Sequence, residues 1–177
     1  MSTGCRPHRH NEHVATTVLL LATLTSGLAA GVYLFYAHTV MPGLGRSNDR
    51  TFVAGFQALN RAIVNPWFMA TAFLGAPILT VVAGLLHVGE PLRPVLWWVV
   101  AAFVLDLVTI GITGGINVPA NNRLKAAGDP DAIDVAAART HFDEARWARW
   151  NLVRVVLSVA SFAALAWALV LAGRAAS

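Results

Sequence analysis

The chain has 177 residues, of which 56% are hydrophobic and only 12% charged, and its formal charge is +4. Soluble domains carry roughly a quarter charged residues, so this composition points to a membrane protein, and basic residues placed in loops beside apolar runs suit an anionic bilayer face, not nucleic acid. One cysteine, Cys5, excludes an intramolecular disulfide, a cysteine-rich metal site and CxxC redox chemistry.

Residues 1–13 read as a polar tail with Arg6, Arg9, His8, His10 and His13. A His-x-His cluster in a solvated leader makes a poor metal site, and no metal is expected. Residues 14–40 form the first apolar run. The stretch Ser26 to Gly31 looks like a signal-peptide cleavage site, but the run continues to Tyr36 and is long enough to span. Gly27 and Gly31 form a GxxxG face, with His38 seven residues further on the same side. Small residues let helices approach closely in lipid, so this face is expected to pack inward or to join two copies of the chain.

Met41-Pro42-Gly43-Leu44 is expected to stop the first helix. Asp49 to Val64 has an amphipathic pattern, with Phe52, Phe56, Leu59 and Ile63 as its apolar stripe and Gln57, Asn60, Arg61 and Val64 alongside. It is too polar to span and is predicted to lie at the membrane interface. Asn65-Pro66 breaks it, because a residue before proline avoids the helical region. Residues 66–88 are the second span, with Trp67 at its mouth and Pro77 predicting a kink near its middle.

A polar turn with Glu90 and Arg93 leads to the third span, residues 95–118, anchored by Trp97 and Trp98. Here Asp106, Thr109, Thr113 and Asn117 fall at i, i+3, i+7 and i+11 and share one helical face. The rest of that circumference is apolar, so the stripe should face protein and the remainder lipid. Arg123 to Thr140 reads as a loop, and residues 131–149 as holding a second surface helix. The fourth span, residues 152–172, follows Trp147, Trp150 and Asn151, with Asn151, Arg154, Ser158 and Ser161 on one inward face. Residues 173–177 are a tail.

The expectation is therefore all-α: a four-helix transmembrane bundle over residues 14–172, multi-pass in the cell membrane, with two interfacial amphipathic helices after spans 1 and 3. Each half has the same plan of span, proline, loop, surface helix and span, as in a parallel repeat. Nine of the 13 Lys and Arg fall in the two long loops, which places those loops in the cytoplasm and both termini outside.

The polar residues concentrate at one end of this bundle. His38, Gln57, Asn60 and Asn65 come from the first half, and Asn117, Asn121, Asn122, Trp147, Trp150, Asn151 and Arg154 from the second. Amides both donate and accept, so they suit a carbonyl or phenol held in an apolar, aromatic-walled cavity. Arg154 could stabilise an enolate. A carboxylate deep in a membrane is costly and marks Asp106 as a functional candidate, though about 16 Å of helix rise separates it from Asn117. Singly, asparagines beside prolines cap helix ends, and Trp and Arg at a span's start anchor it. Their concentration at one end is what points beyond architecture to a site.

Met41-Pro42-Gly43-Leu44, Phe56-Gln57-x-x-Asn60-Arg61-x-x-x-Asn65-Pro66 and Gly75-Ala76 together resemble the first half of the anthrone-oxygenase-like family of small membrane proteins. Gly111-x-Thr113, Asn117-x-Pro119-x-Asn121-Asn122-x-Leu124 and Trp150-Asn151-x-x-Arg154 are similar to its second half. The resemblance implies oxidation of an anthrone to an anthraquinone by dioxygen. His38 or Asp106 would serve as base, with His141 behind them, and Arg154 with the asparagines would hold the oxyanion. The sequence has no flavin motif, haem-type histidine pair or facial triad, so no cofactor is expected. Two other classes compete. A small-molecule binding or transport protein would need a continuous polar path across the membrane, and a structural partner of another membrane protein would copurify with it.

Overall fold

The computed structural model describes residues 6–88 and 93–176, and every regular element among them is helical. We number the helices α1 (residues 6–45), α2 (Asp49–Ile63), α3 (Pro66–Leu86), α4 (residues 93–126), α5 (Val135–Phe142) and α6 (Glu144–Ala176). Four stretches, His13–Gly45, Pro66–Leu86, Pro94–Ala126 and Val135–Ala175, are long and apolar enough to cross a membrane. The chain is a multi-pass membrane protein. The side chains of His8, His10, Glu90 and Arg93 lie outside the described residues.

In the bundle α1 packs on α3 and α6, and α4 packs on α3 and α6. Leu19, Ala83, Val95, Val99 and Leu165 form an apolar core at one end. Large apolar side chains such as Leu24, Leu28, Ile78, Val104 and Val156 point outward, as lipid-facing surfaces require. Gly27 brings α1 against α6, since a Cβ there would lie 3.1 Å from the Phe162 ring, whereas Gly31 faces open space. The close approach permitted by GxxxG is thus used within the chain at its first glycine.

Met41-Pro42-Gly43-Leu44 does not stop the first helix. Hydrogen bonding widens to i→i+5 over Tyr36–Val40 in α1, Met69–Phe73 in α3 and Thr113–Asn117 in α4. The N–H groups of Met41, Leu74 and Val118 close these turns on the carbonyls of Tyr36, Met69 and Thr113. Pro42, Pro77 and Pro119 follow them shortly. A helical proline clashes with the carbonyl four residues earlier, and those carbonyls, of His38, Phe73 and Gly115, all belong to the widened turns. The extra residue moves them aside, so the helix continues through the proline. At the wide turn of α3 the chain also needs Gly75, because a Cβ there would approach the Ala70 carbonyl oxygen to 2.6 Å.

The continuation has a structural consequence. His13–Gly45 and Pro94–Ala126 are each 33 residues, about 50 Å of helix against a hydrocarbon core of about 30 Å. Their last turns, with α2 and α5, bury a second core of Met41, Phe52, Val53, Phe56, Leu124, Phe142 and Trp147. Arg123, Lys125 and Asn122 are consequently helical, not loop, residues. The second surface helix is short: it starts on an Asp134 cap and ends where Asp143 turns left-handed at φ 55°. Trp147 and Trp150 therefore belong to the first turns of α6 itself.

Arg139 ties this cap together. Its Nη1 donates to Asp49 Oδ1 and the Ser47 carbonyl, each at 3.0 Å, and its Nη2 to Glu144 Oε2 at 2.8 Å and the Gly45 carbonyl at 3.0 Å. The guanidinium also lies 4.3 Å from the Phe52 ring centre.

Candidate functional site

Between the two cores lies a layer of buried polar side chains. The two stripes expected from periodicity both point into it. Asp106, Thr109, Thr113 and Asn117 are buried on α4, and Asn151, Arg154, Ser158 and Ser161 on α6.

Arg154 is the centre of this layer and is 5% exposed. Its Nη2 donates to Asn151 Oδ1 at 2.8 Å and its Nη1 to Thr113 Oγ1 at 3.3 Å. Thr113 spends its own proton on the Thr109 carbonyl at 2.8 Å, so towards Arg154 it is an acceptor. The guanidinium lies 4.6 Å from the Tyr33 ring centre and 5.5 Å from that of Trp147. Its Nε has no hydrogen-bond partner, and among the described residues no carboxylate pairs with it.

Asparagines hold the neighbouring groups in place. Asn151 Nδ2 donates to the Tyr33 carbonyl at 3.1 Å. Asn121 accepts from Trp147 Nε1 at 2.8 Å and donates to Asn60 Oδ1 at 3.0 Å, which fixes the indole and joins α2 to α4. Asn117 Nδ2 donates to the Trp147 carbonyl at 3.3 Å, while its Oδ1 is buried without a partner.

These groups form one wall of a cavity of about 220 Å³. The polar wall comes from Thr113, Asn117, Asn121, Asn151 and Arg154, and the facing walls from Tyr33, Tyr36, Phe56, Phe68, Phe73 and Trp147. Each widened turn supplies lining: Tyr36 from α1, Met69 and Phe73 from α3, Thr113 and Asn117 from α4. An aromatic slot with one fixed cation and one free amide oxygen suits a flat ring system bearing a carbonyl and a hydroxyl. The cation would take the carbonyl or its oxyanion, and the amide oxygen would accept from the hydroxyl.

Of the residues proposed from sequence, Asn60, Asn117, Asn121, Trp147, Asn151 and Arg154 meet at this cavity. The others do not line it. Gln57 is buried, but its Nε2 is spent on the carbonyls of Leu124 and Gly128, at 2.9 and 3.0 Å. Asn65 caps α3, accepting from the Phe68 N–H at 2.9 Å. Asn122 is exposed, beside Arg61 and Lys125 on an adjoining recess, and Trp150 is half-buried outside the lining. His38 is exposed against the edge of Phe35, its Nδ1 2.6 Å from Thr39 Oγ1, on the outward side of α1 that Gly31, seven residues earlier, also faces. His141 is exposed on α5. Asp106 is buried but accepts from Ser161 at 2.7 Å and stays apart from Arg154. Sequence reasoning missed Tyr33 and Tyr36. They are the chain's two tyrosines, and their i, i+3 spacing late in the first span was the available signal.

A family model described as Anthrone oxygenase matches residues 65–164. The matched segment carries Thr113, Asn117, Asn121, Asn151 and Arg154 of the polar lining, while Tyr33, Tyr36, Phe56 and Asn60 precede it. No curated protein and no solved structure matches the chain.

Proposed function

This chain belongs to the anthrone oxygenase family, and from that premise we propose that its cavity binds a flat aromatic bearing a carbonyl or phenol and promotes its oxidation by dioxygen. The observation that supports this reading is the buried Arg154 guanidinium, unpaired with any carboxylate among the described residues, set beside the free Asn117 Oδ1 in an aromatic cavity. An uncompensated cation is costly to bury. It becomes useful if the substrate brings the negative charge.

An anthrone has an acidic C–H flanked by two rings. Breaking that bond leaves the electron pair on the substrate as an enolate, with most of its charge on the carbonyl oxygen. Arg154, oriented by Asn151 and Thr113, would stabilise such an oxyanion. The electron-rich carbon then forms a bond to dioxygen, and the resulting hydroperoxide loses water to give the quinone. The substrate is oxidised, and dioxygen ends as one quinone oxygen and one water. Tyr36, Phe56 and Trp147 would hold the rings in the plane that this electron delocalisation requires.

The test is oxygen uptake and quinone formation with an anthrone, in membranes carrying the protein and in matched empty membranes, without added cofactor. The comparison matters because anthrones oxidise slowly in air. The expected result is a rate well above the empty-membrane background. Binding without any such rate, across several anthrones and related phenols, overturns the oxidation and leaves a small-molecule-binding protein.

A further inference from the structure

The polar layer contains a second, smaller space. It has a volume of about 20 Å³, room for one water molecule. Asp106, Thr109, Ser158, Ser26, Tyr33 and Phe73 wall it. Tyr33 and Phe73 also wall the main cavity, so both residues border the two spaces.

Asp106 is 8% exposed, and its two carboxyl oxygens differ. Oδ1 accepts from Ser161 Oγ at 2.7 Å, while Oδ2 is buried with no protein partner. The groups facing it are hydroxyls: Ser161 and Ser158 from α6, Ser26 from α1, Thr80 from α3 and Thr109 from its own helix. None is charged, and Tyr33 is the titratable group that shares the chamber. A carboxyl that merely joined α4 to α6 would do so through the Ser161 bond, and its second oxygen would be a pure desolvation cost deep in the membrane. A water in the chamber would satisfy that oxygen and connect it to the wall of the cavity.

We propose that Asp106 is the proton acceptor for the reaction in the main cavity, acting through one water in this chamber and the Tyr33 hydroxyl. The proposal rests on the oxidative reading above. The substrate C–H bond breaks and its electron pair stays on the substrate as the enolate opposite Arg154. The proton passes to the Tyr33 oxygen as the Tyr33 proton moves to the water and a water proton moves to Asp106 Oδ2. Asp106 becomes neutral as the substrate becomes anionic, and nothing is oxidised until dioxygen adds. The same path returns a proton to the peroxide.

Proton removal can be measured apart from oxidation. Unsubstituted anthrone, incubated anaerobically in D2O with the full chain in lipid vesicles, exchanges its acidic hydrogens for deuterium, read by mass spectrometry. The wild type is expected to exceed protein-free vesicles. Asp106→Asn keeps an acceptor for Ser161 but cannot take a proton, so exchange should fall at least tenfold. Anthraquinone binding, followed by quenching of tryptophan fluorescence, should stay unchanged, which a merely structural role would not predict. Tyr33→Phe should lower exchange to a similar degree, and Asp106→Glu should restore part of it. A wild-type exchange rate in Asp106→Asn overturns the proposal, as does a wild type that exchanges no faster than vesicles alone. If Asp106→Asn fails to accumulate, Tyr33→Phe decides, and unchanged exchange there overturns it. A wild type that exchanges but takes up no oxygen sinks the oxidation and leaves the acceptor in place.

Discussion

Replacing Arg154 by methionine separates a functional cation from a structural one, because the two roles predict opposite effects on stability. If the guanidinium faces a developing oxyanion at about 4 Å, with an effective dielectric near 20, their attraction is about 4 kcal/mol. Loss of a comparable oxyanion donor costs about 100- to 1,000-fold in kcat, and a fall of that size is expected for Arg154→Met. On the stability side, the variant loses the 2.8 Å bond to Asn151, worth about 1–3 kcal/mol where the acceptor is left bare. Against this, it removes a buried charge with no carboxylate partner among the described residues, a relief of several kcal/mol, and methionine fills most of the volume. The thermal midpoint should hold or rise. The assays are oxygen uptake with an anthrone per milligram of folded protein and the midpoint for loss of detergent-soluble protein on heating. The reasoning is refuted if the midpoint drops by more than about 5 °C, on the order of 1–2 kcal/mol for a chain of this size, and activity falls only in step with folded protein.

Asn117→Ala should slow turnover at least tenfold, about 1.4 kcal/mol, with a midpoint lowered only by the loss of the 3.3 Å Nδ2 bond to the Trp147 carbonyl, since its Oδ1 has no protein partner to lose; kcat and heating curves on the same preparation check both halves. Arg139→Ala, which strips the cap of bonds to Asp49, Glu144, Ser47 and Gly45, should cost about 2–4 kcal/mol. Arg139→Lys should recover little, since one ammonium cannot reproduce the fork; thermal midpoints of the two variants give the comparison. A reporter fused after Ser177 should be active only outside the cytoplasm if both long loops face inward, and cytoplasmic activity would reverse that orientation.

The sequence by itself determined the membrane character, the four spans and the two polar stripes. Each is a property of one segment: hydropathy sums along a run, and the faces of Asp106 to Asn117 and of Asn151 to Ser161 follow from helical period alone. The family was legible for a related reason, since its motifs pair residues a few positions apart. What the tertiary structure decided depends on how segments meet. Proline rules end a helix at Met41-Pro42, yet α1 and α4 run on through widened turns because the cap core of Phe52, Phe56, Phe142 and Trp147 rewards the extra length. Those same turns supply Tyr36, Met69, Phe73, Thr113 and Asn117 to the cavity wall, while His38 stays outside it. The one-ended cluster of amides was visible as composition, but its division into lining residues (Asn60, Asn117, Asn121, Asn151) and structural ones (Gln57, Asn65) was not. An amide carries the same donors and acceptors in either role. Which of these groups are already spent on the backbone, and which amides still reach the cavity, is known only once the neighbouring helices are in place.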